Sequence, residues 1–178
     1  SHYQMVLQRY GNTRSFETII KEEMEGMKKG GLLHDWSTMP FEGFHGSKEE
    51  DLAYSKYVNS PDIYLARGFY SIQLRHWLQA FEIYNKPPSD MLVMQYETFF
   101  ENKESIQAGL DKVTDFLSIP RFRWSGADTD HMQEQPLQKS KRKSLSKKTS
   151  EMLRDFYAPY NKALGNLLGE DWENIWMN

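Results

Sequence analysis

Lys139, Lys141, Arg142, Lys143, Lys147 and Lys148 place six of the chain's 22 basic residues within ten positions, and no acidic residue lies between Gln135 and Ser150. The remaining sequence holds 16 basic against 25 acidic residues, so the net charge of −3 conceals a basic segment on an acidic body. Such a segment suits a phosphate or another polyanion. A solvated loop carries the same kind of charge run, and both readings stand at this point. Ser140, Ser144 and Ser146 add hydroxyl donors, whereas no aromatic residue is interleaved. Stacking on single-stranded nucleic acid therefore gains no support, and no nucleic-acid partner is expected.

Other side chains invite chemistry one at a time. Arg67, Gly68 and Tyr70 combine a cation, a small residue and a ring at the start of an amphipathic segment. Glu97 closes the apolar run Met-Leu-Val-Met-Gln-Tyr, where a carboxylate can orient a basic group or a hydroxyl, or simply accept from nearby backbone. Trp36, Phe41, Phe44 and His45 lie in an irregular stretch and could stack on sugar rings. His2, His34, His45, His76 and His131 lack the i, i+4 spacing of a helical zinc site, and cysteine is absent, so no metal, disulfide or thiol chemistry is expected.

The elements that must hold these residues follow from periodicity. Ser15 can cap a helix in which Phe16, Ile19, Ile20, Glu23 and Met27 recur at helical spacing, closed by Gly30-Gly31. Tyr3, Val6, Leu7 and Tyr10 form a shorter helical face before it. A helix over residues 67–82 places Tyr70, Leu74, Trp77, Leu78 and Phe81 on one stripe, with Gln73, Arg75, His76 and Gln79 on other faces. Pro87-Pro88 must end it. Residues 91–96, a short apolar run between turn residues, read as a buried central strand against which that helix packs. A second helix leads to Ile119-Pro120, and a last one starts near Thr149 and is kinked at Pro159. Residues 30–63 show no sustained periodicity and read as a long insertion.

At 178 residues, with 39% hydrophobic and 14% aromatic content, the chain suffices for one ordinary domain with a real core. No apolar run is long enough to span a bilayer and no signal-peptide pattern opens the sequence, so any membrane anchor is expected upstream.

The order Tyr-Leu-Ala-Arg-Gly-Phe-Tyr-Ser-Ile-Gln-Leu-Arg-His-Trp-Leu, then Met-Leu-Val-Met-Gln-Tyr-Glu, then Asp-Phe-Leu-Ser-Ile-Pro, resembles the C-terminal half of the carbohydrate sulfotransferases that use 3′-phosphoadenosine-5′-phosphosulfate (PAPS), of the heparan sulfate N-deacetylase/N-sulfotransferase type. Phe156-Tyr157-x-Pro159-Tyr160-Asn161, with Leu168-Gly169 and Trp172, resembles the family's last helix. The resemblance implies an α/β, P-loop NTPase-like sulfotransferase fold, a sheet flanked by helices, present as its C-terminal part in a single domain over residues 1–178. It further implies transfer of a sulfuryl group from PAPS to a hydroxyl or amine of a carbohydrate acceptor, with the Golgi lumen as compartment.

On that alignment Ser1 is the serine that holds the nucleotide's 3′-phosphate, and Lys141, Arg142 and Lys143 belong to the nucleotide loop. Arg67 and Tyr70 line the acceptor cleft. The loop departs from the family pattern in having no glycine among residues 139–148. The family's Lys-x-Gly-Thr-Thr phosphosulfate loop and its catalytic base are not found in the sequence, so the catalytic residues are unassigned and the missing part is expected upstream. The alternative is a non-catalytic anion-binding or interaction domain derived from the same fold.

Overall fold

A computed structural model describes residues 15–33, 41–58, 63–124, 146–169 and 172. Helices account for nearly all their regular structure: α1 (Phe16–Lys29), α2 (Phe41–Phe44), α3 (Lys48–Val58), a 3-10 turn at Ala66–Gly68, α4 (Tyr70–Ile83), a second 3-10 turn at Pro88–Asp90, α5 (Tyr96–Phe99), α6 (Lys103–Phe116) and α7 (Lys147–Leu168). The described residues form two compact units. One contains those up to Ala80 and from Ser146 onward, the other those from Phe81 to Trp124.

This corrects the expected fold class. Among the described residues there is no β-strand, hence no sheet for helices to flank, and the α/β P-loop-like architecture is not what the chain adopts there. Residues 91–95 show why the apolar run misled. Met91 (φ −121°, ψ 121°) and Gln95 (φ −86°, ψ 124°) have extended backbone, as their sequence favours. No ladder partner is present among the described residues, Leu92 is exposed, and α5 begins at Tyr96. An extended segment becomes a strand only when a neighbour takes its N–H and C=O groups.

In the first unit, Ser15 caps α1 by accepting from Thr18 N at 3.1 Å, and Gly30 closes it with its N–H on Gly26 O at 2.8 Å. The buried residues Ile19, Ile20, Glu23 and Met27 line one face of α1, as helical spacing requires. Ile20, Met27 and Leu32 join Ala53 and Tyr54 of α3, Ile63, Leu65, Ala66, Phe69, Ile72 and Tyr160 in one apolar core. α3 lies inside the stretch read as an unpatterned insertion. Its Leu52 is 58% exposed whereas Glu50 is fully buried, an inversion that hides its face from a hydrophobic pattern.

α7 starts earlier than expected, with Ser146 Oγ accepting from Thr149 N at 3.1 Å, and it runs through Pro159 to Gly169 (φ 110°). α4 turns inward through Ser71, Ile72 and Leu74, while Tyr70 and Trp77 of the expected stripe are 49% and 62% exposed. The stripe is thus only partly buried: Leu74 is in the core and Leu78 and Phe81 are half-buried, and among the described residues there is no sheet for it to lie on.

In the second unit Asn102 caps α6, its side chain accepting from Ser105 N at 2.8 Å. The backbone at Gly109 is approached by the Phe99 ring, with Met94 beside it. The Gln107 side chain ties α6 to the following segment, donating to Phe122 O at 2.9 Å and accepting from Trp124 N at 3.0 Å.

Candidate functional site

Residues 64–70 carry the two site residues that the structure describes, and their backbone is gripped from two sides. The Glu23 carboxylate, buried on α1, accepts from Tyr64 N at 2.9 Å, Leu65 N at 2.9 Å and Ala66 N at 3.2 Å. These are the free donors of a short helical turn, and a carboxylate is their natural acceptor. From α7, Tyr157 Oη donates to Leu65 O at 2.8 Å. Burial, then the negative charge of Glu23 and the nearby Tyr70, push the Tyr157 phenol well above its ordinary range, so it stays a neutral donor. The Gln73 side chain closes the other end by donating to Arg67 O at 2.9 Å.

Gly68 is required here by proximity. A Cβ on it would lie 2.8 Å from Cε1 and Oη of Tyr157, closer than side-chain carbon atoms approach. Phe69, fully buried, packs against Phe156, Tyr157 and Tyr160 with ring centroids 5.5, 5.9 and 4.2 Å away. Arg67 and Tyr70 emerge on either side of this anchor, both exposed. A guanidinium and a phenol on a rigid ledge can pair with an acidic group and pack on a sugar face.

Ser1, Lys141, Arg142 and Lys143 lie outside the described residues, as do Trp36 and the Tyr3–Tyr10 face. Glu97 falls in the first turn of α5 in the second unit.

A second polar constellation lies at the start of α3. Ser47 caps α3, accepting from Glu50 N at 3.1 Å, and the Glu50 side chain reaches back one residue further, to Gly46 N at 2.8 Å. Glu50 is fully buried, with His45 Nδ1 at 3.0 Å and Arg75 Nη2 of α4 at 2.8 Å. The same Nη2 lies 2.8 Å from Asp51 Oδ1, which is also 2.8 Å from His76 Nε2. Burial raises the Asp51 pKa, but hydrogen bonds from His76 and Arg75 and the charge of Arg75 outweigh it and hold the carboxyl below the usual range.

Beside this network, Tyr160 is almost fully buried and its Oη has no partner among the described residues. Burial and the neighbouring Glu50 push its phenol far up. The sequence signal was present in Ser47-Lys-Glu-Glu50-Asp51, a capping box, and in Arg75-His76 on the next long helix. Its tertiary use was not legible, because capping acids are normally solvent-facing.

Among the described residues no group of three His, Asp or Glu side chains is arranged to hold a metal, and no helix is long and apolar enough to cross a membrane. Compared with protein-family models, with curated proteins and with solved structures, the chain matches none.

Proposed function

We propose that this chain is the C-terminal portion of a PAPS-dependent carbohydrate sulfotransferase, contributing the acceptor ledge at Arg67 and Tyr70 and the nucleotide-binding residues Ser1, Lys141, Arg142 and Lys143. One observation carries the reading. The two stretches that resemble the family, residues 64–78 and 153–161, are far apart in sequence yet meet through the Tyr157–Leu65 hydrogen bond and the packing of Phe69 on Phe156, Tyr157 and Tyr160. The reading rests on these side chains and not on a sheet.

In the reaction, the bond between sulfur and the phosphate-bridging oxygen of PAPS breaks as a new bond forms from sulfur to the acceptor oxygen or nitrogen. The acceptor proton passes to a base that no residue here is assigned to, and adenosine 3′,5′-bisphosphate leaves. Such transfer depends on positioning and on cations that meet spreading negative charge. Arg67 would steer an acidic saccharide and Tyr70 would pack against a ring face. Lys141, Arg142 and Lys143 would neutralise the nucleotide's 3′-phosphate, next to the Ser1 hydroxyl.

The all-helical arrangement of the described residues favours a second reading, a non-catalytic anion-binding domain. Calorimetric titration separates the two. Adenosine 3′,5′-bisphosphate should bind the chain, and replacing Lys141, Arg142 and Lys143 together by Ala should weaken it and flatten its salt dependence, because exposed charges are screened over roughly 8 Å at physiological ionic strength. Replacing Lys147 and Lys148 should do much less. Equal small effects from both variants would remove the nucleotide site, and binding of inorganic polyanions without preference for the nucleotide would favour the second reading.

A further inference from the structure

We infer that Glu23 is a positioning residue for the acceptor ledge: by gathering the N–H groups of Tyr64, Leu65 and Ala66 it fixes the direction in which Arg67 and Tyr70 are presented to a sulfated or carboxylated saccharide. The inference rests on the acceptor reading of Arg67 and Tyr70 given above.

The argument begins with cost. Glu23 is only 9% exposed, and the hydrogen bonds it accepts among the described residues come from neutral backbone N–H groups. A buried carboxylate without a counter-charge is expensive, and among the described residues the three amide bonds offset it. An apolar residue on the buried face of α1 would pack without that cost. What the carboxylate supplies, and an apolar residue cannot, is one acceptor centre for three successive N–H groups, at 2.9, 2.9 and 3.2 Å. Three consecutive amides held by the two oxygens of one carboxylate, Tyr64 N on Oε2 and Leu65 N and Ala66 N on Oε1, define the path of the backbone at residues 64–66.

The opposite side of the same turn is fixed independently. Leu65 O accepts from Tyr157 Oη and from Gly68 N, at 2.8 and 2.9 Å. Arg67 O is held by Gln73. The turn is thus secured at its donors by α1, at one acceptor by α7 and at its exit by α4, while the side chains of Arg67 and Tyr70 remain exposed. Burying a charge to secure a turn whose own side chains are apolar or glycine would be redundant, since Leu65, Ala66 and Phe69 already sit in the core. The exposed pair, Arg67 and Tyr70, is carried on the segment that the clamp holds.

A double-mutant cycle on the 178-residue chain tests this, with a heparin-derived sulfated oligosaccharide as probe and adenosine 3′,5′-bisphosphate as control ligand. Glu23→Gln should lower oligosaccharide affinity about tenfold, in the range of coupled neighbours, and leave nucleotide affinity unchanged. Amide resonances of residues 64–68 should shift and exchange faster. In an Arg67→Ala/Tyr70→Ala background the effect of Glu23→Gln on affinity should vanish, because Glu23 acts through that pair. Additive losses would mean a general structural role and would overturn the inference. Should Glu23→Gln not fold, Tyr157→Phe releases the same turn from its other side and enters the same cycle with the same expectation. Equal oligosaccharide binding by the wild type and by Arg67→Ala would remove the acceptor reading itself, and the inference with it, whereas intact Arg67 dependence with no response to Glu23→Gln would overturn the inference alone.

Discussion

The Glu50 carboxylate, fully buried on α3, accepts from Nη2 of Arg75 on α4 at 2.8 Å. This pair joins two helices through charge where hydrophobic contact would serve elsewhere, and a buried pair is costly to leave half-made. Removing one partner of a buried ion pair typically costs about 3–5 kcal/mol, because the other charge stays desolvated. Arg75→Ala should therefore destabilise the first unit by that order, while Arg75→Ala combined with Glu50→Gln should recover much of the loss. Urea denaturation of the three variants checks it; equal stability of Arg75→Ala and wild type would show that Glu50 is not relying on this partner.

The two tyrosines of α7 should respond oppositely to loss of their hydroxyls. Tyr157→Phe leaves Leu65 O without one of its donors and should cost about 1 kcal/mol, the net value of an ordinary hydrogen bond. Tyr160→Phe removes a buried hydroxyl that has no partner among the described residues, and should leave stability unchanged or raise it. Thermal melts of the two variants distinguish them, and equal losses would mean that Tyr160 Oη has an acceptor after all.

Alkaline pH should unfold the chain through the same side chains. Both phenols are raised in the folded state above the ordinary value of 10.0, so their contribution is complete below pH 10.0 and is lost as pH rises through it toward the folded values. Each tyrosine contributes a slope of at most about 1.4 kcal/mol per pH unit in that window. Stability measured between pH 9 and pH 11 should fall less steeply for Tyr160→Phe than for wild type. Parallel curves would contradict this.

At the acid end the sign reverses. Asp51 is held below its ordinary value of 3.8, so its contribution is present above that pH and disappears as pH falls through the lower folded value. Asp51→Asn should flatten the acid limb of the stability curve, and Lys147 and Glu151, whose pairing at 3.9 Å is solvent-exposed, should leave it unchanged when replaced. An unaltered acid limb in Asp51→Asn would show that His76 and Arg75 do not hold that carboxylate in solution.

Catalysis by these 178 residues is expected to be absent. On the proposed sulfotransferase reading, a sequence with no Lys-x-Gly-Thr-Thr loop lacks the charge that would stabilise the leaving phosphate, and losing such stabilisation costs on the order of several kcal/mol of barrier. Transfer of labelled sulfate from PAPS to heparan or chondroitin should not rise above background; robust turnover would place the active site elsewhere.

Legibility varied with how local the cause was. Ser15, the spacing of Ile19, Ile20, Glu23 and Met27, and Gly30 predicted α1 at both ends because caps and periodicity are properties of a few neighbouring residues. α3 does not show in the hydrophobic pattern because its buried positions include Glu50, a charged residue made tolerable inside the protein by His45, Gly46 N and an arginine 25 positions away. The run at residues 91–96 was assigned a sheet that its own extended backbone cannot create. Tyr70 and Trp77, placed by helical spacing on a packing stripe, are both exposed, and helical spacing alone marks Glu23 as no more than one position on a helical face.

The hydrogen bond from Tyr157 to Leu65 closes a span of 92 residues that contains the whole second unit. Helices such as α1 and α6 form from contacts a few residues long, on the sub-microsecond to microsecond scale, but the turn at residues 64–66 has no local partner for its donors or for the Tyr157 hydroxyl. It must wait for α1 and α7 to arrive from opposite directions along the chain, and the entropy of closing so long a loop precedes any reward from the contact. The ledge at Arg67 and Tyr70 is thus set by contacts between segments 41 to 92 residues apart and not by its own local sequence. Interactions made after the rate-limiting step govern how fast the molecule opens and hardly affect how fast it forms. For a clamp that closes after that step, weakening it shortens the lifetime of the native state while leaving its rate of formation intact, and unfolding and refolding rates of Glu23→Gln test this.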